Sequence, residues 1–114
     1  MEEQKEVRPM LHVYWISDEG TLYHYIFKPD DYKRTFFGRR PGVTVTANIS
    51  FTQKEQTYHC ADDEFDKFHN SKIFSFDITD NADAMKIIRK YYDDKIDELN
   101  SKVDKLYKMR DKLR

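Results

Sequence analysis

From Asp80 to Leu113 the chain contains neither Gly nor Pro, and its apolar residues recur three and four apart. That pattern predicts one uninterrupted helix. At 1.5 Å per residue it would run roughly 50 Å, longer than a domain of this size is wide. Such a helix has to pack on the rest of the chain and then project, or find a partner. An interaction protein is therefore expected more than an enzyme.

The first half of the helix is broad-faced. Ala84, Met85, Ile87, Ile88, Tyr91 and Tyr92 cover more than a narrow stripe, as suits packing across a sheet. From Ile96 the stripe narrows. Ile96, Leu99, Val103, Leu106 and Leu113 fit the a and d positions of a heptad, with Arg110 and Arg89 on two other a positions. These five apolar residues are the expected oligomerisation seam, a coiled-coil contact. Lys95 and Lys102 fall at g against Asn100 and Tyr107 at e, so a parallel dimer would gain no flanking salt bridges, and helix packing in an assembly, with antiparallel as one arrangement, is favoured over a free-standing zipper. The competing expectation is a solvated helix whose seam lies on its own sheet. Acidic residues sit early (Asp80, Asp83) and basic ones late (Lys102, Lys105, Lys108, Arg110, Lys112, Arg114), an order the helix dipole explains without any ligand.

Residues 1–9 read as a flexible tail and 10–79 as a β domain that precedes the helix of 80–114. Leu11 to Ser17 and Thr21 to Phe27 flank Asp18-Glu19-Gly20, a three-residue hairpin loop with Gly where a left-handed residue is needed. This loop opposes Trp15 to Tyr23, Val13 to Tyr25 and Leu11 to Phe27 on an apolar face destined for the core. The other face carries His12, Tyr14, Ile16, Leu22, His24 and Ile26. His12, Tyr14 and His24 suit a protein partner, because Tyr is enriched at interfaces. The same face would serve equally as a second core layer under the helix.

Lys28 to Gly42 reads as a long connection broken by Pro29, Gly38, Pro41 and Gly42. Val43 to Thr52 alternates as a half-buried strand. Thr57 to Ala61 returns, Asp62 to Phe68 forms a short helix or turn N-capped by Asp62, and Lys72 to Ile78 is a fifth strand. Thr79 or Asp80 caps the long helix. The fold expected is α+β: an antiparallel sheet of about five strands, or a partly closed barrel, with one long C-terminal helix.

With 114 residues, 36% charged, a mean hydropathy of -0.91 and 15% aromatic, the chain reads as one ordered, water-soluble domain. No apolar run is long enough for a membrane span. The charged N-terminus does not read as a signal peptide. The single Cys60 excludes an intrachain disulfide framework, so a reducing, cytoplasmic setting is expected. Net charge of -1 gives no general attraction for nucleic acid.

The chemistry-bearing clusters are few. Lys33, Arg34, Arg39 and Arg40 lie close together with Tyr32, Phe36 and Phe37 interleaved, and Lys28 to Arg40 holds five basic and two acidic residues. Arginine binds phosphate and aromatics stack on bases, so this loop could bind a phosphate, nucleotide or nucleic acid. Tyr32, Phe36 and Phe37 could equally engage a protein. His12 and His24 are too few for zinc, which takes three or four protein ligands. Asp62 to Ile73 lacks the Gly and the Glu of a calcium loop. Cys60 lies on an apolar strand face, where a thiol is inert. No nucleophile elbow or phosphate loop is present. No catalytic residue, metal or cofactor is assigned.

The function expected is a small non-enzymatic protein-binding module or inhibitor that self-associates through its helix. Compact proteins of this kind include accessory proteins of phages and mobile elements that block a host protein, and that context is a prior from size and class. The alternative is an anion or nucleic-acid binder using residues 32–40.

Overall fold

The computed structural model describes residues 8–37 and 39–113, with nothing said of the Phe37 side chain. The fold is α+β: two three-stranded antiparallel sheets and one long helix. The strands are β1 (Leu11–Ile16), β2 (Leu22–Phe27), β3 (Tyr32–Phe37), β4 (Arg40–Ala47), β5 (Gln56–Ala61) and β6 (Lys72–Ser75), followed by α1 (Asn81–Lys112). One sheet has the order β2-β1-β6, the other β3-β4-β5. The single sheet of about five strands is thus corrected to six strands in two sheets, and among the described residues no barrel closes.

The β1–β2 hairpin has the register its loop demands. Leu11 opposes Phe27, Val13 opposes Tyr25 and Trp15 opposes Tyr23. Gly20 has φ of +85°, and the Ser17 N–H donates to Thr21 O at 2.9 Å to close the loop. Alternation then sends the two faces of β1 into different cores. Leu11 and Val13 point between the sheets, where they meet Val43, Val45 and Ile49. Tyr14 points the other way, against Ile73, Ala84 and Ile88. The molecule therefore has three layers: second sheet, first sheet, helix. Tyr25 ties the first two together, its hydroxyl donating to Ile49 O at 2.6 Å.

The expected connection from Lys28 to Gly42 is instead a 3-10 turn (Pro29–Asp31), all of β3 and the start of β4. Pro41 and Gly42 read as breakers, yet both pair within β4. Pro41 opposes Phe36 of β3 and lies just beyond the first residue paired to β5, where β4 has a neighbour on one side only. A missing N–H is tolerated in such an edge position. Gly42 is there for room. A Cβ at this position would lie 2.6 Å from the Cys60 carbonyl oxygen, a backbone atom that cannot swing away. Gly42→Ala is accordingly expected to destabilise by about 1–3 kcal/mol, the usual cost of overpacking. An unchanged denaturation midpoint would show that β5 moves aside freely.

Three further boundaries shift. β4 ends at Ala47; Ile49 stays fully buried, but Phe51 turns outward, 60% exposed, with φ of +55°. The short helix at Asp62 is a single 3-10 turn (Asp62–Glu64) whose cap position falls on Ala61, which has no side-chain acceptor; the Asp62 carboxylate is bound to Arg34 instead. β6 stops at Ser75, whose Oγ accepts from the N–H groups of Asp77 and Ile78 at 3.1 and 2.8 Å. That turn parts Ile78 from Phe74 and Phe76: it packs against the helix layer and they pack between the sheets.

Asp80 is the cap of α1, its carboxylate accepting from the Ala82 N–H at 2.7 Å. Only Ala84 and Ile88 of the helix are buried, with Met85 and Ile87 half-buried beside them. From Arg89 onward every described residue is exposed. The radius of gyration, 19.2 Å, far exceeds the roughly 13 Å of a compact chain this long. The longest dimension is 83 Å. Among the described residues no helix is long and apolar enough to cross a membrane.

Candidate functional site

The length of α1 beyond Ile88 is the least covered part of the fold. Tyr92, Ile96, Leu99, Val103, Leu106 and Leu113 are 49, 54, 58, 43, 69 and 76% exposed, and they follow one another along a single stripe. Isolated apolar residues on a surface are routine, whereas this stripe is interrupted only by Arg110 and stays uncovered along its whole length in the single chain. The far side carries the intrahelical ion pair Lys90–Asp94 (3.0 Å), and the flank of the stripe carries Lys95–Glu98 (3.6 Å) and Lys102–Glu98 (3.5 Å). Each contributes a few tenths of a kcal/mol to helicity. These pairs hold the rod together without covering its apolar side. The five residues expected as an oligomerisation seam all lie on this uncovered stripe.

The first hairpin is different. Tyr14 is 1% and His12 8% exposed, so neither offers a partner surface in this fold; the second core layer is what β1 supplies here. The Tyr14 hydroxyl donates to Ile78 O at 2.9 Å. Burial, with Asp80 and Asp83 nearby, raises its pKa and keeps it a donor. His12 and His24 do meet, Nδ1 to Nε2 at 2.8 Å, and the His24 ring stacks on Tyr14 with centroids 4.2 Å apart. Among the described residues no third His, Cys, Asp or Glu joins them in a metal-ligand group.

This pair makes the fold sensitive to acid. Burial, then the neighbouring His12, lowers the His24 pKa from its ordinary 6.5, and a hydrogen bond with Asn81 opposes that shift. The unfolded chain thus takes up the proton more readily than the fold. Stability is complete above the ordinary value and is lost as pH falls below it, levelling once the lowered folded value is passed. The thermal midpoint should drop between about pH 7 and pH 5.5, and His24→Gln should flatten that slope. An identical slope in the variant would assign it to other groups.

The basic cluster is largely neutralised. Arg34 makes a bidentate pair with Asp62, both bonds 2.7 Å, and Arg40 reaches Asp63 at 2.8 Å and Glu64 at 3.2 Å. Sequence reading could not foresee that the acidic turn, more than twenty residues later, would fold onto β3 and β4. Lys33 and Arg39 make no ion pair among the described residues. Tyr32 is 4% exposed, its hydroxyl donating to Pro9 O at 2.7 Å with the Arg8 guanidinium 4.7 Å above its ring. Pro9, expected in the tail, is therefore held against β3; residues 1–7 lie outside the described residues. Of the three aromatics expected to face a ligand, Phe36 alone is shown exposed, at 73%.

Two features escaped the sequence reading. Trp15, Tyr23 and Phe51 form an aromatic cluster, with Phe51 edge-on to Trp15 at 5.5 Å and to Tyr23 at 4.7 Å. Alternation had put Phe51 on a strand, and nothing in the sequence marks its left-handed backbone. A cleft of about 190 Å³ also opens between β5 and β6, lined by Tyr58, Cys60, His69, Lys72 and Phe74 among others. Lys72 Nζ lies 4.7 Å from the Tyr58 ring centre, and burial lowers its pKa. Ligand sites usually span about 300–1,000 Å³, so this cleft is small for one. Cys60 on its floor is 6% exposed and burial, with Glu64 next, pushes its thiol up to about 12, which leaves it unreactive at neutral pH.

No protein-family model, curated protein or solved structure matches this chain.

Proposed function

We propose that the chain is a non-enzymatic protein-binding module that self-associates through the exposed length of α1. One observation carries this reading. The apolar stripe continues past the point where its own sheet stops covering it: Ile88 is 3% exposed and Ile96, two turns on, is 54%. A helix needed only to cap the sheet could end at Ile88. Tyr91 and Tyr92 still touch Phe68, but the apolar residues from Ile96 on gain nothing from the monomer and lose about 25 cal/mol for each Å² kept in water. The ordered sheet domain leaves Phe36, Ile26 and Phe51 exposed, and these supply contact area for a protein partner brought to the assembly.

The test is the mass of the full chain in solution, by native mass spectrometry and by light scattering. A defined multiple of the 13.8 kDa chain mass at about 10 µM is expected. A monomer at every concentration up to about 100 µM would overturn the reading, since a weaker contact would not hold in dilute solution.

A further inference from the structure

We infer that the partner of α1 is a second copy of the same helix running antiparallel, with Ser101 at the two-fold axis. The inference rests on the self-association proposed above and adds its orientation and register.

Three observations lead to it. Arg89 and Arg110 occupy a positions of the heptad that Ile96 and Val103 define. In a parallel pair each a position meets its own copy, so Arg89 would face Arg89 and Arg110 would face Arg110 inside the seam. Like charges brought together out of water are unfavourable at both ends. In an antiparallel pair a positions meet d positions, and no arginine meets its own copy.

The second observation is charge. From Lys90 to Asn100 the helix has four acidic and two basic residues, and from Ser101 to Leu113 five basic and two acidic. Running the copies in opposite directions lays the acidic half along the basic half. Running them in the same direction stacks like on like.

The third is where the sheet domain ends. The exposed stretch is Arg89 to Leu113, and Ser101 is its midpoint. Pairing about Ser101 sets Ile96 against the partner's Leu106, Leu99 against the partner's Val103, Tyr92 against the partner's Arg110 and Arg89 against the partner's Leu113. Sliding one heptad inward would drive each helix tip into the other copy's sheet domain, which covers the helix through Ile88 and touches Tyr91 and Tyr92 through Phe68. Sliding one heptad outward would leave Tyr92 without a partner. The chosen register uses every seam residue. It gives Arg110 the face of a tyrosine, a favourable seat for a guanidinium. Its cost is Lys102 meeting its own copy, which Glu98, 3.5 Å from the Lys102 amine, offsets.

Disulfide trapping tests this. Ile96→Cys protein is mixed with mass-tagged Leu106→Cys protein under mild oxidation; native Cys60 is buried and stays out of the reaction. The expected product is the mixed disulfide. Self-linking of the Ile96→Cys chain is not expected, because its two copies would lie about 15 Å apart along the axis, ten residues at 1.5 Å. Each variant linking only to itself would overturn the orientation. A dimer that forms no mixed disulfide would overturn the register. Small-angle scattering of the unmodified chain gives an independent reading: antiparallel overlap makes the dimer about 130 Å long, twice the 83 Å extent less about 36 Å of shared helix. A length near 85 Å would overturn the inference, whereas a monomer would overturn the self-association beneath it.

Discussion

Tyr14→Ala is expected to lower stability by about 3–5 kcal/mol, the range for deleting a buried aromatic side chain. Tyr14 is 1% exposed and stands between β6 and the helix, touching Ile73, Ala84 and Ile88. The helix has few other fixtures: the buried Ala84 and Ile88, the half-buried Met85 and Ile87, and the rings of Tyr91 and Tyr92 against Phe68. The loss should therefore fall on helix docking first, with the sheet-to-sheet core of Leu11, Val13, Val43 and Val45 less affected. Thermal unfolding should drop by roughly 10–25 °C for a domain of this size. Hydrogen exchange should rise more at Ala84 to Ile88 than in β4. Tyr14→Phe isolates the hydroxyl bonded to Ile78 O and should cost about 1–3 kcal/mol. A Tyr14→Ala protein as stable as the parent would mean that the helix is held by something other than this layer.

Leu99→Asp combined with Leu106→Asp should dissociate the assembly by at least about a thousandfold. The two leucines are 58 and 69% exposed in the single chain, so burying the remainder is worth about 1 kcal/mol each. A two-fold dimer contains four such sites, giving about 4 kcal/mol, or about three decades of affinity. Desolvating the new carboxylates adds to this. The monomer should scarcely notice, because neither side chain touches the sheet domain; Asp costs about half a kcal/mol of helix propensity per site. Lys105→Asp with Lys112→Asp, placed off the seam, serves as the control. Equal mass loss in both double variants would mean that charge, and not the apolar stripe, governs association.

How far the sequence reached is clearest at the joints. The hairpin register was legible because Gly20 permits one loop geometry, and a fixed loop sets every pair behind it. β3 was illegible because its residues, Lys33 and Arg34 among them, are outward-facing and charged, and because Pro41 and Gly42 resemble a turn when no neighbouring strand is in view. Gly42 owes its identity to the Cys60 carbonyl, eighteen residues away, and no local pattern records that. The same holds for Arg34, read as an anion binder until Asp62 closes on it. For the helix, periodicity revealed the apolar stripe but not where cover stops. The broad face of Ala84 and Ile88 and the narrow stripe from Ile96 already differ along the chain, but only the edge of the first sheet shows that Ile96 and Leu99 are left bare.

In the proposed dimer, that edge would tie the order of the helix to the abundance of the chain. Beyond Tyr91 and Tyr92, which still rest on Phe68, the helix has no contact with the sheet domain among the described residues, and most helical stability in proteins comes from tertiary packing of an apolar face. Its outer turns can fray in an isolated molecule and are secured only when a second copy covers them. Ordering and association are then a single equilibrium, drawn toward the helical form by mass action. A dilute chain would carry a loose, protease-accessible end, and a crowded one would be protected. The stretch that looks most rigid in outline is thus the part whose order depends most on how many copies are present.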